Sequence, residues 1–290
     1  MSSRPYSGYR MLLVHAHPDD ETINNGATMA MYQDLGARIT LMTCTRGEEG
    51  EVLVPGLSHL ASSETDQLGD HRITELAAAM KELGVDDFRF LGAEKKRYRD
   101  SGMMGTEPNN RPDVFWQADV DEAAKLLVDV IHEVRPHVLL TYDEIGGYGH
   151  PDHIQAHRVA MRAVELADKW AIPKVYWNAI PKSVIAQGIA EMKKIGSSFF
   201  GAESVDDIPF AKEDSLVTAL VDGSEYVDRK MAAMKAHETQ IALDGPFFAL
   251  SNNLGNQVWG QEYYTLVKGN PAAPFDKDGR ETDLFAGITP

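Results

Sequence analysis

Cysteine is almost absent. Cys44 is the only one in 290 residues, so no intrachain disulfide can form, and a reducing, cytoplasmic setting is expected. Basic residues are also scarce, 28 Lys and Arg against 44 Asp and Glu, for a formal net charge of −16. That balance argues against nucleic acid and against an anionic membrane surface, since both recruit Lys/Arg patches. Long apolar runs are missing too: no stretch approaches the ~20 residues of a membrane span. The first residues, "MSSRPYSGYR", contain no apolar segment of signal-peptide length. There is no internal repeat and no low-complexity tract. What is present is the composition of a soluble globular protein large enough to bury a sizeable core.

Short apolar runs alternate with amphipathic stretches. "MLLV" (11–14), "RITLMTC" (38–44), "FRFLG" (88–92), "HVLLTY" (137–142) and "KVYW" (174–177) read as buried strands. Ala27–Leu35, Arg72–Leu83, Val120–Val134 and Ile154–Leu166 read as the helices between them. Gly36 and Gly84 stand where helix stops are expected. This order predicts an α/β fold: a Rossmann-like, mostly parallel sheet flanked by helices. Thr45–Ser63 and Lys95–Asp119 read as long loops, which in a compact domain are usually functional. Beyond residue 178 the alternation fades, leaving one clear helix at Glu225–Glu238 and a loop-rich tail. The expected division is a catalytic core over 1–178 and a C-terminal portion, 179–290, covering the active-site end.

Two polar clusters follow predicted strands. "HAHPDDE" (His15–Glu21) closes the first, and "YDEIGGYGHPDH" (142–153) closes the fourth. In open parallel sheets, ligands bind beyond the carboxyl ends of the strands, so both clusters can face one crevice. A catalytic metal site takes three protein ligands and leaves a position for water. His17, Asp20 and His153 form a two-His, one-carboxylate set of that kind. The adjacent Asp19 is then free to act as general base, although spacing alone does not say which aspartate binds and which abstracts a proton. Either aspartate also suits a helix N-cap. His150 and Asp152 supply an imidazole–carboxylate pair for a developing oxyanion, and Tyr148 has a hydroxyl able to swing toward the same oxygen or the leaving amine. His157, four residues after His153, reads as a core or supporting residue, and Cys44 as a buried apolar one. "EEGE" (48–51) reads equally as a solvated turn or as an acidic rim.

In these residues the chain resembles the zinc-dependent N-acetylglucosamine deacetylases that carry the HPDDE motif, the LmbE/PIG-L-like family. The resemblance extends through "NGAT" (25–28), "TCTRGEEGEV" (43–52), "DQLGDHRITEL" (66–76), "RDSGMMGT" (99–106), "GGYGHPDH" (146–153), "LSNNL" (250–254) and "ETDL" (281–284). It implies zinc held by His17, Asp20 and His153, with Asp19 as base. It further implies His150 as oxyanion partner, Asp152 holding its ring, Tyr148 as a mobile partner, and Arg72 and Asp100 as sugar and inositol contacts. The longer blocks resemble the branch acting on a small sugar-inositol substrate, N-acetylglucosaminyl-inositol, in mycothiol biosynthesis. Fe2+ is an alternative occupant of such a ligand set, because selectivity follows availability as well as affinity. A homologous amidase of mycothiol S-conjugates would use the same metal mechanism. A non-catalytic sugar-binding relative would lack the base or a ligand, and here all of them are present.

Overall fold

The structure is a computed structural model that describes residues 4–93, 96–194, 196, 201–242 and 260–290. The "LSNNL" block therefore lies outside the described residues, as does Lys95 at the start of the second long loop. The first half of the chain runs β1 (Arg10–His15), α1 (Asp20–Asp34), β2 (Arg38–Thr43), α2 (Leu68–Leu83), β3 (Asp87–Phe90), α3 (Val120–Val134) and β4 (Val138–Thr141). There follow a single turn α4 (Gly146–Gly149), α5 (Pro151–Leu166), β5 (Lys174–Pro181) and α6 (Lys182–Lys194). The chain then continues through β6 (Ala211–Lys212), β7 (Ala219–Asp222), α7 (Val227–Ala236) and β8 (Gln261–Lys268).

The strands form one sheet in the order β3-β2-β1-β4-β5-β8-β7, with β6 pairing beside β5. β1 to β5 are parallel throughout, whereas β8 is antiparallel to both β5 and β7. The alternating side-chain directions of a strand explain why β1 reads as unbroken apolar sequence. Met11 and Leu13 face a core shared with Met29 of α1, Leu76 and Met80 of α2 and Ala233 of α7. Leu12 and Val14 face the opposite core, with Leu127 and Ile131 of α3 and Ala156 and Val159 of α5. Both faces are covered.

Helix starts depart from the sequence reading in an informative way. α1 begins at Asp20, seven residues before the expected Ala27, and α5 begins at Pro151 instead of Ile154. In both, the first turn is built from polar residues that are nevertheless buried, so no apolar periodicity marks it. Helix α3, by contrast, coincides with its expected span, because Asp119 caps it by accepting the Glu122 N–H.

The expected boundary at residue 178 falls inside β5, and β7 and β8 extend the same sheet. The tail is pinned by Glu281 of the "ETDL" block, which is fully buried. Its carboxylate takes the Lys174 ammonium at 2.5 Å, the Tyr176 hydroxyl at 2.8 Å and the Ala272 N–H at 2.7 Å. Removing one partner of such a set leaves an uncompensated buried charge. Glu281→Ala is therefore expected to cost about 3–5 kcal/mol in a urea titration. A loss below about 1 kcal/mol, the range of exposed ion pairs, would contradict this account of the tail.

Candidate metal centre

β1 and β4 are neighbours in the sheet, but their outgoing connections lead to opposite sides of it. That reversal opens a crevice at their carboxyl ends, where ligands settle in open α/β sheets. Both polar clusters arrive there. They line a cavity of about 830 Å³ that includes His17, Asp19, Asp20, Tyr148, His150 and His153.

Donor groups of three residues stand at matched separations. His17 Nδ1 is 3.3 Å from Asp20 Oδ2, His153 Nε2 is 3.3 Å from Asp20 Oδ1, and the two imidazole nitrogens are 3.3 Å apart. Such spacing is that of the edges of a tetrahedral ligand shell. The His153 Nδ1–H donates to the Gly146 carbonyl at 3.2 Å, which turns the lone pair of Nε2 toward the other two donors. Gly146 is needed there: its φ is +63°, and a Cβ would stand 2.6 Å from His153 Cβ. The Tyr142 ring stacks on His153 with centroids 4.3 Å apart.

The other edge of His17 meets a second set of carboxylates. Its Nε2–H donates to Asp152 Oδ2 at 3.2 Å, and Asp100 Oδ1 lies 3.6 Å away. Those two groups are already engaged by the protein. Asp152 also accepts from the Ser101 N–H and hydroxyl, and Asp100 accepts from the Glu49 and Gly102 N–H groups. Among the described residues, Asp20 accepts a single backbone N–H, from His17. The open coordination valence is thus on the Nδ1 side, while Asp100 and Asp152 orient the ring from behind. Burial opposes both shifts, yet Asp100, Asp152 and Asp20 raise the His17 pKa well above its ordinary value, and His153 and His17 hold Asp20 well below its own. A divalent cation offers the same carboxylates the positive charge they require.

Asp19 occupies the N-cap position of α1 but makes no capping bond. Its side chain is held by Arg72 Nη2 at 3.0 Å, and its φ of +121° is unusual for a residue with a Cβ. A conformation of that kind costs roughly 1–3 kcal/mol and persists only where its surroundings enforce it. Burial, partly offset by Arg72, raises the carboxyl to about 6. A carboxylate so placed suits proton abstraction near neutral pH.

Some expected roles change. The Asp152 carboxylate does not hold the His150 ring, because it is committed to His17 and Ser101; the Asp152 backbone N–H donates to His150 Nδ1 instead, at 3.1 Å. This bond puts the His150 proton on Nε2. Burial together with neighbouring His17 and His153 lowers its pKa to about 2, which favours the neutral ring, a donor through Nε2–H. Arg72 is 2% exposed and grips the Gly47 and Pro18 carbonyls as well as Asp19. It and Asp100 border the cavity, yet each is tied to the protein. Tyr148 is about half exposed at the mouth, edge-on to His153 with centroids 5.0 Å apart. His157 hydrogen-bonds the Tyr142 carbonyl, and burial pushes the Cys44 thiol up, away from nucleophilic use.

"EEGE" is neither a solvated turn nor simply a rim. Glu48 is buried and accepts from Arg97 and the Asp100 N–H; Glu49 accepts from Arg99, Arg111 and Ser62. Together they anchor the loop that delivers Asp100 and Ser101. Sequence reasoning missed Ser101, Glu48, Glu49 and Tyr142 as parts of the site, since nothing local marks contacts that span some 50 to 130 residues. "NGAT" has a similar long-range explanation: the Gly26 position faces the stem of Lys230, whose ammonium pairs with Glu262, which in turn accepts the Ala27 and Thr28 N–H groups.

The fold and site together are those of an α/β protein with a candidate metal centre at its sheet crossover. Residues 12–164 match the GlcNAc-PI de-N-acetylase (PIG-L) family, and the chain belongs to that family. It is 60% identical to the 1D-myo-inositol 2-acetamido-2-deoxy-alpha-D-glucopyranoside deacetylase of Geodermatophilus obscurus, over 96% of this chain and 98% of that one. A second relative with the same name, from Acidothermus cellulolyticus, is 58% identical over 96% of this chain and 94% of its own. Among solved structures, the N,N'-diacetylchitobiose deacetylase of Pyrococcus horikoshii shares the fold with a TM-score of 0.57 at 18% identity, covering 90% of this chain and 84% of that one.

If Asp152 orients a metal ligand, Asp152→Asn is expected to weaken metal binding by about 10–100-fold while leaving the fold intact. Competition against a chelator measures this. Unchanged affinity would remove Asp152 from that role.

Proposed function

We propose that the protein is a zinc-dependent N-deacetylase that hydrolyses the acetamide of N-acetylglucosaminyl-inositol, giving acetate and glucosaminyl-inositol, as a step of mycothiol biosynthesis. The observation that carries the reaction is the approach to 3.3 Å of the His17, Asp20 and His153 donor groups, beside a half-buried Asp19 whose side chain makes no capping bond. Zinc–nitrogen bonds of about 2.0–2.1 Å in a tetrahedron place neighbouring donors about 3.3–3.4 Å apart, so the residues fit that ion. Fe2+ fits the same donor types. The sugar-inositol substrate is supported by the similarity to the named deacetylases over almost the whole chain.

When bound, the ion supplies Lewis acidity to the acetamide carbonyl and makes water a nucleophile near neutral pH. The remaining work belongs to the chain. Asp19, fixed by Arg72, takes the proton from the attacking water. His150, with its proton held on Nε2, donates to the oxygen on which negative charge develops. Tyr148 stands at the mouth with a hydroxyl to offer to that oxygen or to the departing amine. Asp152 and Asp100 hold His17 from behind, and Arg72 and Asp100 border the space for the sugar-inositol.

One feature favours a second reading. Ile180, Val184, Ile185, Ile208 and Phe210 give the cavity an apolar wall. This suits a larger acyl group, such as the cysteinyl group of a mycothiol S-conjugate, and amidase activity on such conjugates is the alternative. Primary-amine release, with both substrates at equal concentration, separates the two. Faster release from N-acetylglucosaminyl-inositol is expected, and faster release from the conjugate would reverse the assignment. With either substrate, Asp19→Asn is expected to lower kcat by about 100- to 10,000-fold and to keep its metal. A variant near the wild-type rate would show that Asp19 is not the base.

A further inference from the structure

Asp19 is held at its backbone by groups other than the candidate metal ligands. The peptide joining Pro18 to Asp19 is gripped at both ends. Arg72 donates to the Pro18 carbonyl, and the Asp19 N–H donates to Glu21 Oε2 at 2.9 Å. Glu21 is itself fully buried and fixed on its other oxygen, by the Thr22 hydroxyl at 2.6 Å and by His237 Nε2 at 3.0 Å. His237 is fully buried as well, and it forms the C-cap of α7, 216 residues from its partner. Helix α7 packs on α1 and α2, the elements that carry Asp19 and Arg72. A residue with a Cβ does not rest at a φ of +121° unless its surroundings hold it there.

We propose that His237 and Glu21 are positioning residues for Asp19: they clamp the Pro18–Asp19 peptide in its left-handed conformation and so aim the carboxylate into the cavity. The buried ion pair that links α7 to α1 thereby sets the geometry of the reaction from the C-terminal part of the chain. Neither side chain lines the cavity. Both act through Asp19, and the proposal rests on the reading of Asp19 as the base.

The test is a double-mutant cycle on the metal-loaded protein, using amine release from N-acetylglucosaminyl-inositol together with metal content and thermal unfolding. Misplacing a catalytic group by about 1 Å costs about 100-fold, so His237→Ala is expected to lower kcat by about 10- to 100-fold. KM is expected to stay within about 2-fold and the metal content to match wild type. His237→Gln, whose amide nitrogen can replace Nε2 as donor, is expected to recover most of the loss. In an Asp19→Ala background, His237→Ala is expected to cause no further fall in kcat. Glu21→Gln, which keeps one acceptor oxygen but removes the charge, is expected to fall between wild type and His237→Ala.

Equal fractional losses from His237→Ala with and without Asp19 would overturn the proposal, as would a wild-type kcat in His237→Ala. So would loss of metal or folding in both His237→Ala and His237→Gln, since that marks a purely structural role. If Asp19→Ala alone keeps its rate, it is the base assignment that fails, whatever His237 does.

Discussion

Buried charge around the His17 imidazole is the constraint on which the rest of the site depends. Asp20 meets one ring nitrogen, and Asp100 and Asp152 face the other. Carboxylates removed from water need positive charge and hydrogen bonds in return, or they are strongly destabilising. The protein supplies the hydrogen bonds unevenly. It gives Asp100 and Asp152 several N–H and hydroxyl donors and, among the described residues, gives Asp20 a single backbone N–H. This asymmetry gives the two sides of one histidine different functions. One side orients the ring, and the other is open to an ion.

The long loops follow from the same requirement. The segment after β2 carries Glu48 and Glu49, the segment after β3 carries Arg97, Arg99, Asp100 and Ser101, and each fixes the other through ion pairs. Arg72 of α2 reaches back into the β1 connection. The result is a site on connecting segments whose backbone is nonetheless held at many points, which meets the need for preorganised donors and acceptors in hydrolysis. Fold alone does not dictate that chemistry; the side chains placed at the sheet crossover do.

The parallel sheet was legible because β1, β2 and β4 are apolar on both faces and each is followed by a polar break. Helix α3 was legible to the residue because Asp119 caps it and its apolar stripe is strong. The starts of α1 and α5 were hidden, since their first turns bury Asp20, Glu21, Asp152 and His153 where a periodic pattern would show apolar residues. At the site, residue type and local spacing were enough to mark His17, Asp20 and His153 as one ligand set. The partner of Asp152 was not legible, because choosing between His17 and His150 depends on which atom of Asp152, backbone or side chain, meets which ring. Glu21 and His237 illustrate the same limit, being separated by 216 residues and joined only once α7 folds onto α1. The loss of alternation after residue 178 also concealed that β7 and β8 continue the sheet.

The central claim, that one ion sits between the Nδ1 side of His17, Asp20 and His153, is tested most directly by a crystal structure of the zinc-loaded protein with anomalous scattering to locate the metal. The account expects a single zinc per chain, bonded to His17 Nδ1, His153 Nε2 and an Asp20 oxygen, with Asp100 and Asp152 still on the other edge of the His17 ring. Zinc bound instead through His17 Nε2, with Asp100 and Asp152 as ligands, would contradict it.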